Sequence, residues 1–266
     1  MDSTSPRHPA AFFVLVYAMS APFWILSNFI EKSSLPDNIP ITDIGAALTP
    51  TIAAMILSYR ENGNSGIRAL FHRIFDFRRV KECGWLITAA LLFPLLYLLT
   101  YYAMRLLSFP VPSVWHPSPT LGAVFLLFFI AATAEELGYT AYETDALQSR
   151  MSALSASLII GVLWALWHFP SMIQMGQSAQ LMAWGFFVTI AFRIISIWVY
   201  NNAGSSVFAV ILMHAVGNTA RTGFPGGRSA YELGHGSVAY SIVILTALFV
   251  VMLWGPKTFS RFIGKK

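Results

Sequence analysis

Residues 84–107 read GWLITAALLFPLLYLLTYYAMRLL, a run of 24 residues whose one charge, Arg105, comes near its end. As a helix it is long enough to cross about 30 Å of hydrocarbon. The run is continuous, not the alternating segments of about ten residues that build a membrane barrel. Outward from it, seven more apolar runs are predicted to span: Ala10–Ile30, Ile41–Ser58, one from near Thr120 that turns polar after Ala134, Ala153–Phe169, Leu181–Tyr200, Ser205–Thr219 and Ser237–Trp254. The first resembles a signal peptide but is long and is followed by further spans, so it reads as an uncleaved helix. Pro94 predicts a kink in residues 84–107. The expected fold is all-α: a polytopic transmembrane bundle of about eight helices, forming one integral membrane domain over residues 1–266 with no internal repeat.

Composition agrees with that reading. The chain is 56% apolar and 11% charged, with a mean hydropathy of +0.62. Soluble domains carry about a quarter charged residues. Disordered chains, secreted disulfide scaffolds and ordinary cytosolic enzymes are excluded. Cys83 is the single cysteine, which excludes an internal disulfide or a thiolate metal cluster. It reads as a packing residue, with lipidation as the alternative. The net charge of +5 belongs to loops and tails, so membrane lipids and not nucleic acid are the expected partners.

Those loops set the orientation. Arg60, Arg68, Arg73, Arg78, Arg79 and Lys81 crowd residues 59–82, and Lys257, Arg261, Lys265 and Lys266 end the chain. The positive-inside rule places both segments, and with them both termini, in the cytoplasm. The loop with Glu31, Lys32, Asp37 and Asp43 then faces outward. The expected location is the plasma membrane of a prokaryote. Leu70–Val80, rich in Arg and Phe, is read as either an interfacial helix on anionic lipid or a solvated basic loop.

Ionisable groups at membrane depth are costly and mark function. The fourth span holds Glu135 and Glu136, the fifth His168, the sixth Arg193, and the seventh His214 with Asn218 one turn on. Adjacent glutamates on a helix point about 100° apart. One therefore enters a shared cavity while the other orients a neighbour. His214 and Asn218 share a helix face, as do Trp164 and His168. A carboxylate that takes a proton from water, an imidazole that positions that water or protonates a leaving amine, and an amide that donates to an oxyanion are what peptide hydrolysis requires. Two alternatives stand beside it. A transporter lacks support, since no repeated halves are visible. A catalytically weak or inactive scaffold of the same fold, of bacteriocin-immunity type, would use the polar residues only to hold helices together.

Three motifs, Ala134-Glu135-Glu136-Leu137-Gly138-Tyr139, then Trp164-Ala165-Leu166-Trp167-His168, then His214-Ala215-Val216-Gly217-Asn218, resemble the CAAX-protease and bacteriocin-processing (CPBP, or Abi) family of intramembrane proteases. That family includes the Ras-converting CAAX prenyl endopeptidases. The resemblance covers residues 120–220, the expected catalytic core. It implies an intramembrane endopeptidase that cleaves a membrane-associated or lipidated peptide without an acyl-enzyme. By position it implies Glu135 as the catalytic carboxylate and Glu136 as its support. His168 is implied in water activation, and His214 with Asn218 in oxyanion stabilisation. Trp164 and Tyr139 are the expected substrate contacts. The family has both a metalloprotease description and a glutamate-activated-water description. If a metal is present, zinc on Glu135, His168 and His214 is the candidate set, although the His-Glu-x-x-His helix of zinc proteases is missing. The metal-independent carboxylate route is the expected one.

Two departures from the family pattern stand out. Thr140 replaces the Arg of Glu-Glu-x-x-x-Arg, and Trp164 replaces a Phe. Arg193, the cation deep in a span, is the candidate substitute for the lost Arg if its helix turns it inward. One tension concerns sidedness. His168 lies about 27 Å beyond Arg150 along a straight helix at 1.5 Å per residue, which carries it away from the basic loops.

Overall fold

The computed structural model describes residues 9–30, 40–112, 118–227 and 236–260. Glu31, Lys32, Asp37 and the tail cations Arg261, Lys265 and Lys266 lie outside them, as does whatever they say of orientation. Eight long helices make up the described chain, which contains no strand. They are α1 (Pro9–Ser27), α2 (Thr49–His72, after a short turn at Asp43–Ala47), α3 (Gly84–Leu106), α4 (Leu121–Glu136), α5 (Ala153–Gln174), α6 (Ala179–Asn202), α7 (Val207–Thr222) and α8 (Gly236–Trp254). α4 does not stop at its polar section. It continues through a π-helical stretch, Leu137–Thr144, and a last turn, Asp145–Gln148.

Six of these helices, α4 counted with its continuation, are long and apolar enough to cross a membrane; α2 and α7 are not. Both exceptions have a reason. The second half of α2 carries Arg60, Glu61, Asn62 and Asn64 and is interrupted by Gly63 at φ 58°, a conformation natural to glycine. α7 has 16 residues and sits inside the protein, against α3, α4 and α6. Val207, Ala209, Val210, Ile211, Met213 and Ala215 are all buried. A helix surrounded by helices needs neither full span length nor an apolar outer face.

Several local expectations change. α5 runs through Pro170 to Gln174, a turn beyond Phe169. Proline is tolerated at membrane depth when neighbours satisfy the freed backbone groups. Leu70–Val80 is the end of α2 followed by 3-10 turns at Arg73–Arg79, with Phe71, Phe75 and Phe77 exposed. Cys83 is exposed at the start of α3 and is not a packing residue.

The chain closes its backbone ends with local donors and acceptors. Ser152, Ser178 and Ser206 accept the N–H groups of Ser155, Leu181 and Ala209 at the starts of α5, α6 and α7, satisfying orphan donors. Asp76 accepts from the Phe208 N–H at 3.0 Å and from the Ser206 hydroxyl at 2.8 Å. Ala153 and Leu154 donate to Lys257 and Pro256 carbonyls. The helices that carry His168 and His214 are therefore both anchored at their N-termini, at the same end of the bundle. Close helix contact needs two glycines. A Cβ on Gly161 would lie 2.9 Å from Ile190 Cα on α6, and one on Gly138 would lie 2.6 Å from the Pro50 carbonyl. Small residues at such crossings let membrane helices approach.

Candidate active site

The last turn of α4 points the two glutamates in different directions. Glu135 lines a cavity of about 350 Å³. Glu136 is fully buried and does not line it. His168 and Trp164 of α5, and His214 and Asn218 of α7, line the same cavity as Glu135. Four residues singled out in sequence thus converge with Trp164 on one hollow, drawn from three helices.

Glu136 is held from three sides. Arg193 spans its carboxylate, Nη1 to Oε2 at 2.9 Å and Nη2 to Oε1 at 3.2 Å. The Thr140 hydroxyl donates to Oε2 at 2.5 Å. His214 Nδ1 lies 2.9 Å from Oε1. Both Arg193 and Glu136 have side chains of 0% relative exposure. Two buried charges persist at this depth only when paired and hydrogen-bonded, and this pair is two-pronged. Arg193 therefore turns inward, not to lipid, and brings a cation to the Glu136 carboxylate. Its Nη1 also lies 3.0 Å from the Thr140 hydroxyl, so the residue that departs from the pattern is bonded to the residue that supplies the charge.

The π-helical stretch after Glu136 buries all of its residues from Leu137 to Thr144. Its wider turn leaves backbone groups re-paired locally, as in the Thr144 hydroxyl bond to the Tyr139 carbonyl at 2.9 Å. Such insertions concentrate at functional sites.

Trp164 joins the two carboxylates. Its indole N–H donates to Glu135 Oε2 at 2.9 Å. Its ring carries the Arg193 guanidinium at 4.5 Å from the centroid, within cation–π range. The His168 ring packs at 5.4 Å and the His214 ring at 5.6 Å from the same indole. Tyr139, expected as a substrate contact, is 1% exposed and does not line the cavity. It packs between Phe12, Trp164 and the Arg193 guanidinium. It sits behind the wall because the π-helical turn directs it toward α1.

His214 faces both layers. Glu136 is an acceptor, so Nδ1 carries the hydrogen between them, which leaves Nε2 for the cavity. Among the described residues no three His, Cys, Asp or Glu side chains gather closely enough to hold a metal ion. Glu135, His168 and His214 share the cavity without forming such a set.

Sequence reasoning did not single out the far rim of the cavity. There Asp43, Ser171, Gln177 and Arg221 join the lining, and the Ser171 hydroxyl donates to Asp43 Oδ2. Asp43 and Ser171 lie far apart in sequence, and no spacing signals their meeting. Arg221 was legible in principle, as the next member of the face that carries His214 and Asn218.

Residues 117–220 match the family described as Type II CAAX prenyl endopeptidase Rce1-like. The chain is also similar to CAAX prenyl protease 2 of Methanococcus maripaludis, with 26% identity over 228 residues, 80% of this chain and 84% of that protein. The matched segment holds Glu135, Glu136, His168, Arg193, His214 and Asn218, so the residues that meet in and behind the cavity fall within the part of the chain that is similar to that family.

Proposed function

We propose that this protein is a metal-independent intramembrane endopeptidase that hydrolyses a peptide bond in a membrane-held, lipidated peptide. The observation that carries this reading is the division between the glutamates. One lines the cavity beside His168, His214 and Asn218, and the other is tied up by Arg193 behind it.

The chemistry follows from that placement. Glu135 takes a proton from a water in the cavity, and the resulting hydroxide attacks the peptide carbonyl. His168, fixed by its packing on Trp164 and Trp167, positions the water. The tetrahedral oxyanion accepts from the Asn218 amide. His214, held through Nδ1 by Glu136, stands beside it in the same cavity. Glu135 returns its proton to the leaving amine as the C–N bond breaks. Glu136, Arg193 and Thr140 position His214 and do not touch substrate. A low-dielectric cavity closed by indole and phenyl rings strengthens each of these interactions.

Orientation follows from charge. Arg60, Arg68, Arg73, Arg78, Arg79, Lys81, Arg150 and Lys257 lie toward the end where α5 and α7 begin, and Arg105 and Arg221 toward the other. The positive-inside rule puts the first end in the cytoplasm of a prokaryotic cell. The rim formed by Asp43, Gln177 and Arg221 then opens on the opposite face, and substrate enters there.

The reading is tested with purified protein in detergent and S-farnesyl-cysteinyl peptides, the products mapped by mass spectrometry. Cleavage at one bond, lost in His168→Ala at unchanged thermal stability, is expected. Intact peptide with the wild-type protein, or equal cleavage by His168→Ala, contradicts it.

A further inference from the structure

The segment from Arg68 to Lys81 lines no part of the cavity, yet it grips the start of the helix that carries His214. Asp76 accepts from the Ser206 hydroxyl and from the Val207 and Phe208 N–H groups. Arg73 pairs with Asp76 at 2.8 Å and donates to the Ser205 carbonyl at 2.6 Å. Arg79 Nε donates to the Gly204 carbonyl at 3.3 Å. The Phe77 ring packs edge-on to Phe208 at 5.7 Å between centroids. Residues 204–208 are thus each held by this one segment.

The outer side of the segment has a different character. Phe71, Phe75 and Phe77 are 40, 66 and 44% exposed, and Arg68, Arg78, Arg79 and Lys81 are exposed with them. Nearby carboxylates are engaged elsewhere. Asp76 serves Arg73 and α7, and Glu61 accepts from the Tyr142 hydroxyl at 2.5 Å. The segment ends at the foot of α3, a 23-residue apolar helix. At about 34 Å long, α3 just exceeds the hydrocarbon thickness, so its first residues sit at the headgroup level. A soluble acidic partner would satisfy the cations and leave the rings in water. A charged bilayer surface takes both, with rings at the acyl boundary and cations on phosphates.

From this placement we infer that residues 68–81 form a binding site for anionic phospholipid. Phe71 and Phe75 enter the edge of the acyl layer, while Arg78, Arg79 and Lys81 hold the phosphate headgroup. Guanidinium forks match phosphate oxygens. Because the same segment grips residues 204–208, bound lipid also steadies the start of α7. The site does not depend on the peptidase reading.

The test uses the full-length protein in a nonionic detergent, offered equimolar phosphatidylglycerol and phosphatidylcholine, with retained lipid counted by native mass spectrometry. Each cation near an anionic surface corresponds to about fivefold in binding. Three such cations give an expected preference for phosphatidylglycerol of about 10- to 100-fold. Amide hydrogen exchange of residues 204–210 is expected to slow severalfold in nanodiscs that contain phosphatidylglycerol, relative to phosphatidylcholine alone. Replacing Arg78, Arg79 and Lys81 together by Gln should bring the preference to within about twofold of one. Replacing Arg261, Lys265 and Lys266 by Gln removes the same charge from the chain end and should leave it intact. Equal retention of the two lipids by the wild type overturns the site. Equal loss in the two triple variants reduces it to net charge and overturns it as well. Displacement of the lipid by an equal concentration of inorganic phosphate would make it a phosphate site and contradict the membrane reading. The wild-type lipid comparison stands even if the variants do not fold.

Discussion

The Arg193 guanidinium grips both oxygens of Glu136 from a different helix, at 2.9 and 3.2 Å, with both side chains fully buried. A cation that the family pattern places one turn along α4 is here supplied from α6. Breaking a buried pair by removing one partner leaves an uncompensated charge and costs about 3–5 kcal/mol. Arg193→Met is therefore expected to lower thermal stability sharply and to abolish peptide cleavage. Adding Thr140→Arg to Arg193→Met restores the cation from the original position and should recover a measurable part of both. A double variant no better than the single one would mean that Arg193 does more than supply charge.

Trp164 offers a finer test. Trp164→Phe keeps a ring under Arg193 and beside both histidines, but removes the N–H that holds Glu135 Oε2. A hydrogen bond to a charged group corresponds to roughly 10-fold or more in rate. The expected result is a fall of that size in kcat with KM within about twofold. A change confined to KM would make Trp164 a substrate contact only.

Metal independence is tested by chelation. Protein treated with a strong zinc chelator and dialysed is expected to cleave the reporter peptide at its original rate. Loss on chelation, reversed by stoichiometric zinc and by no other divalent ion, would contradict the carboxylate mechanism.

Sidedness can be read from the native cysteine. Cys83 is exposed beside the basic segment, and Gln177 lines the rim at the other end. In intact cells a membrane-impermeant maleimide should leave Cys83 unlabelled and should label Gln177→Cys in a Cys83→Ser background. The reverse pattern would place the rim in the cytoplasm.

The helices were legible because membrane helices advertise themselves through unbroken apolar length, as residues 84–107 do. The ends were less so. The apolar run of α5 ends near Phe169, yet the helix continues through Pro170 to Gln174 because neighbouring helices absorb the break. α7 looked like a span because Val207 to Met213 is apolar, but it is apolar for burial against protein. Glu135, His168, His214 and Asn218 stood out because polarity is rare at this depth, and three helices bring them to one cavity. Tyr139 was misplaced because a π-helical turn, invisible in the spacing, rotates it behind the wall. The rim escaped notice because Asp43 and Ser171 meet only through tertiary packing.

The central claim is that Glu135, and not Glu136, activates the water. The most direct measurement is single-turnover cleavage by Glu135→Gln, with its thermal melt recorded beside the wild type. The account predicts a melting temperature within a few degrees of the wild type and a cleavage rate reduced by at least about 1,000-fold, the order of a lost general base. A folded Glu135→Gln protein that cleaves within about tenfold of the wild-type rate would contradict it.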